Sequence, residues 1–276
     1  MSQTVSYWVN DTERRRELPD ANEPVVPGIC WGDHWNLFTP AYWVSQLWMS
    51  DLDGKAHSPY RAQGSLAEEL VFCLLGGYGI TAELAMAAFK ACRDADLIAN
   101  LNASTENWVE VLRRPLEVGG RNIHYRYPNQ KAIYLADAMK CVRNKQIDPQ
   151  GGRALRDSLL RVRGVGPKTA GWVARNYLDA DDVAILDIHI VRAGVLCDLF
   201  TPEQKVERQY FEMEAQYINL CHAMNVRPAV LDCLIWDQMR TVGRLALDAI
   251  KHKFGQDDPV SSNVPRPQQM PLPLAH

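Results

Sequence analysis

The sequence has no hydrophobic run that approaches the roughly 20 residues a helix needs to cross a bilayer. Its first residues, MSQTVSYWVNDTERRREL, lack the basic-then-apolar order of a secretory signal peptide. We therefore expect no membrane partner and a cytoplasmic location. With 276 residues, 47% of them hydrophobic and 23% charged, the chain has room for one large or two modest domains.

Cysteine is present but is neither paired nor clustered. Single residues are scattered along the chain: Cys30, Cys73, Cys92, Cys141, Cys197, Cys221 and Cys233. The lack of a CxxC pair and of a four-cysteine cluster argues against an iron–sulfur cluster and against a cysteine-bound metal. We expect reduced thiols in the core and no required cofactor.

Strand patterns are also scarce. The segments ITAELAMAAFKAC and NWVEVLRR lack the period-two alternation of a strand. Helical signals are present instead, because Ser65 and Glu68 form a capping-box pattern before an apolar run and Thr81 is a candidate N-cap. Helical spacing continues towards residue 255, so the predicted fold class is all-α.

Two helical domains and a tail are predicted. The terminal helical domain combines residues 1–60, an aromatic-rich segment, with the C-terminal helices of residues 181–255. Residues 61–180 form the second helical domain. The polar, Pro-rich segment 256–276 is predicted to be disordered.

The chain has no overall excess of positive charge, but one window has a large local excess. The formal net charge of the chain is −3. Residues 113–175 nevertheless hold fourteen Lys and Arg and only four Asp and Glu, a local charge of +10 that leaves −13 for the rest. A basic segment inside an acidic chain is typical of a surface that contacts phosphates, although a solvated basic helix has the same composition.

Within this window lies a helical hairpin pattern, LLRVRGVGPKTAGWVARNYL. Gly164 and Gly166 flank Val165 and allow a tight turn, and Pro167 stands at the preferred first position of the next helix. Amides at a helix N-terminus can bind a phosphate without reading sequence. A plain helical corner would explain the glycines, but not their order with Lys168 beside so many arginines.

The string from Val162 to Ala170 resembles the signature of the helix-hairpin-helix DNA glycosylase superfamily, L-P-G-V-G-x-K-T-A followed by a distal Asp. Arg163 stands where many members have Pro, and the Asp falls on Asp187 in LDIHIVR. The chain is most similar to the compact prokaryotic 8-oxoguanine DNA glycosylase/AP lyases. This resemblance implies a two-domain helical HhH-GPD fold with a DNA-binding cleft between the domains, and a nucleoid-associated monomer.

Lys168 and Asp187 suit the two tasks of the reaction that the resemblance implies. A Lys at this position marks the bifunctional members, which excise a base and then cleave the abasic site. A neutral amine can attack the anomeric carbon and form a Schiff base, while a carboxylate can stabilise positive charge on the sugar. A phosphate-contacting Lys and a simple helix N-cap are the structural alternatives for these two residues.

The resemblance also implies contacts with double-stranded DNA. The predicted DNA-binding residues are Arg163, Gly164, Val165, Gly166, Thr169, His189, Asn129 and Gln130. Asn129 and Gln130 belong to an R-x-x-N-x-x-A-x-Y pattern and would fill the gap that a flipped base leaves, whereas His189 has a buried structural role as its alternative. A monovalent cation on the hairpin is implied as well. Its predicted ligands are the carbonyls of Leu160, Val162 and Val165.

A flipped base needs a pocket that stacks against it and hydrogen-bonds its edge. Trp236 and Gln238 resemble the pocket-lining region of the 8-oxoguanine enzymes, although a helical Trp is also common in cores. Trp31, His34 and Trp35 lie in a Gly-containing loop and are further candidates.

The predicted function is thus a bifunctional DNA glycosylase/AP lyase that flips out and excises a damaged base, 8-oxoguanine first. One alternative is a glycosylase for another modified base, such as a modified cytosine in phage DNA, with a role in defence. The other is a non-catalytic helix-hairpin-helix DNA-binding protein, which needs the glycines but has no use for Lys168 with Asp187.

Overall fold

The computed structural model describes residues 1–50, 61–77 and 79–255. Helices dominate these ranges, which confirms the predicted all-α class. The helices are α1 (Pro40–Met49), α2 (Leu66–Leu75), α3 (Ala82–Asp94), α4 (Thr105–Arg113), α5 (Pro128–Arg143), α6 (Gly152–Leu159), α7 (Pro167–Leu178), α8 (Ile188–Leu196), α9 (Val206–Ala223), α10 (Pro228–Thr241) and α11 (Gly243–Phe254). Within the described ranges, no helix is long and apolar enough to span a membrane. The predicted disordered tail, residues 256–276, lies outside the described residues.

Short strands, which the sequence analysis did not predict, form three two-stranded antiparallel sheets. They are β1 (Gln3–Val9), β2 (Thr12–Leu18), β3 (Pro24–Val26), β4 (Ile29–Cys30), β5 (Leu116–Val118) and β6 (Arg121–Ile123). The prediction of a helical segment over residues 1–60 is therefore wrong for its first half. The loop predicted before α5 likewise contains β6.

The β1–β2 hairpin has a local cause. Gln3 and Val5 are buried while Thr4 is exposed, which is the period-two pattern of a strand. Asn10 and Asp11 have φ values of 46° and 62° and form the two-residue turn that joins the strands. The alternation runs through all seven residues of β1, so the strand signal was present in the sequence although the prediction did not use it.

Contacts within the chain divide it into two compact units. The terminal unit consists of Met1–Trp43, Leu186–Met213 and the described residues from Ile235 onward. The central unit consists of Val44–Ile185 and Glu214–Leu234. The predicted domain boundaries, the cleft between the domains and the monomeric state stay predictions.

The central unit surrounds one apolar core. Phe72, Phe89 and Trp108 are among its largest fully buried side chains, and the rings of Phe72 and Phe89 meet edge to face at 5.8 Å. All seven cysteines are free, and five of them are buried as expected. Cys30 is exposed and Cys141 is half-buried, so these two depart from the predicted core placement.

The predicted helix starts are confirmed in the central unit. The Ser65 hydroxyl accepts the Glu68 amide at 3.3 Å, while the Glu68 carboxylate accepts the Ser65 amide at 2.7 Å. The Thr81 hydroxyl accepts the Leu84 amide at 3.2 Å and caps α3. Such caps each contribute about 1 kcal/mol to helix stability, so Ser and Thr are preferred at helix starts. This preference is why the two starts could be located from sequence alone.

Candidate active site

The predicted helical hairpin is formed by α6, a turn and α7, all in the central unit. Two backbone bonds hold the turn: the Val162 amide donates to the Leu159 carbonyl at 2.9 Å, and the Val165 amide donates to the Val162 carbonyl at 3.1 Å. Val162 and Val165 are buried, whereas Gly164 and Gly166 are exposed. The turn therefore exposes its backbone at the two glycines, beside the exposed residues Arg161 and Arg163.

The two glycines of the turn serve different purposes. Gly164 has a φ of +82°, and a Cβ at this position would lie 2.3 Å from Cδ2 of Tyr134 on α5. Both facts require glycine for the fold itself. Gly166 has a φ of −95°, and a Cβ there would meet no atom within 4 Å. The space at Gly166 leaves room for a ligand against the N-terminus of α7.

Lys168 is the second residue of α7 and is half-buried. Its charge acts on two neighbouring groups, since it helps to lower the pKa of Lys131 and opposes the strong increase that burial causes in the pKa of Cys73. Lys131 belongs to α5 and Cys73 to α2, and both helices contact each other in the central unit. Lys168 is therefore located where elements of α2, α5 and α7 converge.

Lys131 is a second amine near Lys168 that the sequence analysis did not single out. Its Nζ donates to the Leu74 carbonyl and, at 2.9 Å, to the Gly76 carbonyl at the C-terminal end of α2. Burial, and to a smaller extent the charge of Lys168, lower the pKa of Lys131 from 10.5 to about 8. The sequence held one signal for Lys131. It directly follows Gln130 within the R-x-x-N-x-x-A-x-Y pattern, which had been linked to DNA binding.

A buried polar network fastens α7 to its neighbours. The Asn176 amide donates to the Glu69 carboxylate of α2, and Arg175 pairs with Asp232 at 4.0 Å, all four residues being buried. Burial raises the pKa of Glu69. Separating a buried charged group from its partner typically costs about 3–5 kcal/mol, so the network fixes α7, and with it Lys168, against α2 and α10.

Asp187 begins α8 as its N-cap in the terminal unit. Its Oδ1 accepts the amides of His189 at 2.8 Å and Ile190 at 3.0 Å. Asp187 is thus a helix N-cap, which was the structural alternative to a catalytic role. It is compatible with a chemical role, because both bonds go to one carboxylate oxygen and a carboxylate has two.

The chain that leads to Asp187 is tied to two side chains of α9. In the central unit Glu214 accepts the Ala184 amide at 3.0 Å, and in the terminal unit the Tyr210 hydroxyl accepts the Leu186 amide at 3.2 Å. Burial raises the pKa of Glu214. Sequence reasoning missed both residues, because partners 30 and 24 residues apart leave no local pattern.

The other predicted DNA-binding side chains fall on both units. Arg163, Asn129 and Gln130 are exposed on the central unit, and Thr169 is half-buried in α7. His189 is half-buried in α8 of the terminal unit. None of these positions is in the core, so each keeps some surface for a ligand.

The predicted cation ligands lie on the hairpin turn. Leu160 follows α6 directly, and the Val162 carbonyl accepts the Val165 amide while keeping a second lone pair. Backbone carbonyls suit a hard cation. No group of three His, Cys, Asp or Glu side chains that could hold a metal occurs in the part of the chain that the structure describes.

Two predicted pocket residues, Trp236 and Gln238, are half-buried in α10 of the terminal unit. The Tyr42 hydroxyl of α1 donates to Gln238 Oε1 at 2.9 Å, and the Arg240 guanidinium lies 4.5 Å from the centroid of the Trp236 ring. The structure thus connects Gln238 with the N-terminal aromatic segment. Tyr42 was missed as its partner because the two residues are 196 positions apart.

The remaining pocket candidates differ in exposure. Trp31 is only 7% exposed, which favours a core role. Trp35 is 66% exposed and meets the ring of His34 edge to face at 4.7 Å. The amide of His34 donates to the Gln3 side chain at 2.9 Å, so β1 anchors this loop.

The hairpin of α6 and α7, with an Asp-capped helix after it in a mostly helical chain, defines a helix-hairpin-helix glycosylase fold. The Methanocaldococcus jannaschii 8-oxoguanine glycosylase/lyase, solved in complex with a 15mer DNA containing 8-oxoguanine, shares the fold with a TM-score of 0.51 and 24% identity. That likeness covers 64% of this chain and 81% of the other.

The family model described as 8-oxoguanine DNA glycosylase matches residues 55–226, which is more than half of the sequence. The chain belongs to the 8-oxoguanine DNA glycosylase family. It is 32% identical over 124 residues to an 8-oxoguanine DNA glycosylase/AP lyase of Metallosphaera sedula, over 42% of this chain and 59% of that protein. It is 28% identical over 174 residues to the M. jannaschii enzyme of the same name, over 61% of this chain and 77% of the other.

Proposed function

We propose that this protein is a DNA glycosylase with AP lyase activity that acts on double-stranded DNA containing a damaged base, with 8-oxoguanine as the first candidate. One observation carries the proposal: in a chain of this family, the helix-hairpin-helix turn places Lys168 in the first turn of α7, and Asp187 caps the helix that follows. The names of the M. sedula and M. jannaschii relatives support the same activity.

In the proposed reaction, the neutral Nζ of Lys168 attacks C1′ of the nucleotide, the N-glycosidic bond breaks and the base leaves with its electron pair and a proton. Asp187 stabilises the positive charge that develops on the sugar. Ring opening then gives a Schiff base between Lys168 and C1′. Loss of a C2′ proton expels the 3′ phosphate, and water releases the amine.

The turn between α6 and α7 would bind the DNA backbone. The amides of Gly166, Lys168 and Thr169 lie at the N-terminus of α7, where a phosphate is favoured by the helix dipole. Arg163 adds an exposed charge beside the turn. A cation on the carbonyls of Leu160, Val162 and Val165 would add a positive charge at the same phosphate.

The excised base would be read in the terminal unit. Gln238 offers an amide that can hydrogen-bond a base edge, and Trp236 offers a ring that can stack. Tyr42 holds the side-chain oxygen of Gln238 at 2.9 Å and would limit the orientations of that amide. The exposed Trp35 is a further stacking candidate.

The proposal is tested by borohydride trapping on duplexes that carry 8-oxoguanine, an abasic site or a modified cytosine. The wild type should form a covalent adduct that Lys168→Gln loses entirely. Asp187→Asn should trap slowly while staying folded, because Asn caps a helix about as well as Asp does. Lys90→Gln, which changes an exposed lysine of α3, is the matched control and should trap like the wild type.

The outcomes separate the alternatives. An adduct only on the modified-cytosine duplex would replace 8-oxoguanine by that base as the substrate. Base release without an adduct would contradict the lyase step and leave a monofunctional glycosylase. Salt-sensitive DNA binding with neither base release nor an adduct would leave a non-catalytic binding protein.

A further inference from the structure

A small β-hairpin projects from the central unit between α4 and α5. This β5–β6 arm consists of Leu116–Ile123, and its turn at Gly119 and Gly120 has φ values of 56° and 75°. Leu116 at its start is buried. At its end Tyr125 is buried and donates from its hydroxyl to the Leu75 carbonyl at 2.6 Å. Both ends of the arm are thus anchored in the core.

The outer strand of the arm contributes nothing to that core. All three residues of β6, from Arg121 to Ile123, are exposed, and so is His124. Ile123 keeps 37% of its surface exposed although it is a large hydrophobic residue. A two-stranded sheet normally buries one face, so the residues of β6 are positioned for contact with something outside the chain.

The arm is electropositive. The window from Arg113 to Arg126 holds four arginines and a single acidic residue, Glu117. Arg121 forms no ion pair with any residue in the ranges that the structure describes. Its guanidinium therefore remains available to a phosphate, the group that arginine binds most effectively.

Side-chain contacts connect the base of the arm to the helix-hairpin-helix turn through α5. Arg113, just before the arm, donates to the Asn129 side chain at 3.1 Å. The next residue, Gln130, donates to the hydroxyl of Tyr134 one turn further along α5 at 3.0 Å, and the Tyr134 ring packs directly on Gly164. A series of contacts therefore runs from the base of the arm, along the start of α5, to the turn.

We propose that the β5–β6 arm is a second contact with the DNA backbone, in which Arg121 binds a phosphate of the duplex. The inference rests on the proposed function, because the helix-hairpin-helix turn supplies the first contact. Charge complementarity and continuity with that turn select duplex DNA as the occupant. Since the contact is with phosphate, the arm adds affinity and orientation but reads no base.

The test is fluorescence anisotropy with a labelled duplex at several salt concentrations between 50 and 200 mM. Removing one phosphate contact reduces the slope of log K against log salt by about 0.9, which at 0.1 M salt corresponds to binding about eightfold weaker. Arg121→Ala should show both changes. Arg121→Lys should retain most of the affinity because it keeps the charge.

Lys90→Ala is the matched control, since it removes one exposed positive charge from α3 in the same unit. It should leave the slope of the wild type unchanged. Wild-type slope and affinity in both Arg121→Ala and Arg121→Glu, or an equal loss in Lys90→Ala, would overturn the arm's role while leaving the proposed function intact. If the wild type itself bound no duplex at low salt, the proposed function would fail together with the arm.

Discussion

At the scale of single residues, Lys131 is the least expected feature near the proposed nucleophile. It bonds two carbonyls at the end of α2, and burial followed by the charge of Lys168 lowers its pKa to about 8. A buried lysine in this position carries a desolvation cost while it is charged. The stability of the protein should therefore depend on pH through this group.

We predict the sign of that dependence. Below pH 8, Lys131 is protonated in the folded and unfolded states alike, and the folded state carries the full cost. Between pH 8 and 10.5 the unfolded chain still binds a proton that the folded protein has lost, so the unfolding free energy rises with pH. The gain approaches about 3 kcal/mol.

The measurement is urea unfolding of the wild type and Lys131→Met at several pH values across this window. Most other groups titrate alike in both proteins, so the difference between their unfolding free energies reports chiefly on Lys131. That difference should move in favour of the wild type as the pH rises. A difference that stays constant from pH 8 to 10.5 would contradict a lowered pKa.

At the scale of elements, the turn between α6 and α7 provides an internal comparison of two glycines. Gly164 combines a φ of +82° with the Tyr134 ring where its Cβ would be, whereas Gly166 has neither constraint. The fold therefore depends on Gly164. Under the proposed function, Gly166 matters because it leaves room for a DNA phosphate.

We predict that Gly164→Ala destabilises the protein by about 2–3 kcal/mol, because it strains the backbone and displaces the Tyr134 ring. Gly166→Ala should change the unfolding free energy by about 1 kcal/mol or less, the difference expected for Ala in place of Gly at a helix N-cap. Chemical denaturation measures both.

We predict the opposite ranking for DNA affinity: among folded molecules, Gly166→Ala should lose more affinity for duplex DNA than Gly164→Ala. At a temperature where both variants are folded, Gly166→Ala should bind DNA more weakly than its small effect on stability suggests, because a methyl group would keep the phosphate from the amides. Equal stability losses in the two variants would contradict the structural assignment of Gly164.

At the scale of the whole molecule, charge is separated along the sequence. The chain carries −3 overall but +10 within residues 113–175. A net negative protein should nevertheless bind DNA if this window contacts the phosphates, because local and not total charge releases counterions.

We predict that duplex affinity falls about a thousandfold between 50 and 200 mM salt, the loss expected for about six phosphate contacts. Duplexes with and without 8-oxoguanine should give parallel lines of log K against log salt, offset by the specificity for the lesion. Gel-shift titrations measure both lines. An affinity that changes less than about tenfold over this range would count against a phosphate-contacting window.

Much of the fold could be predicted from sequence because its signals are local. The capping box at Ser65, the N-cap at Thr81 and Pro167 at the start of α7 are each settled by residues within one helical turn. The glycines of the hairpin, with Lys168 and the later Asp187, likewise form a pattern along the chain. The β1–β2 hairpin was missed although its turn at Asn10 and the alternation of β1 are local signals as well.

The sequence by itself determined the helical class, the hairpin and the two residues proposed to do the chemistry. Only the tertiary structure decided the hydrogen bonds around the proposed site. Lys131 donates to the carbonyls at the end of α2, Glu214 accepts the Ala184 amide before Asp187, and Tyr42 donates to Gln238. The physical reason is distance along the chain. A cap or a turn depends on dihedral angles and neighbours a few residues away, whereas these bonds join residues that only the packing of separate helices brings together.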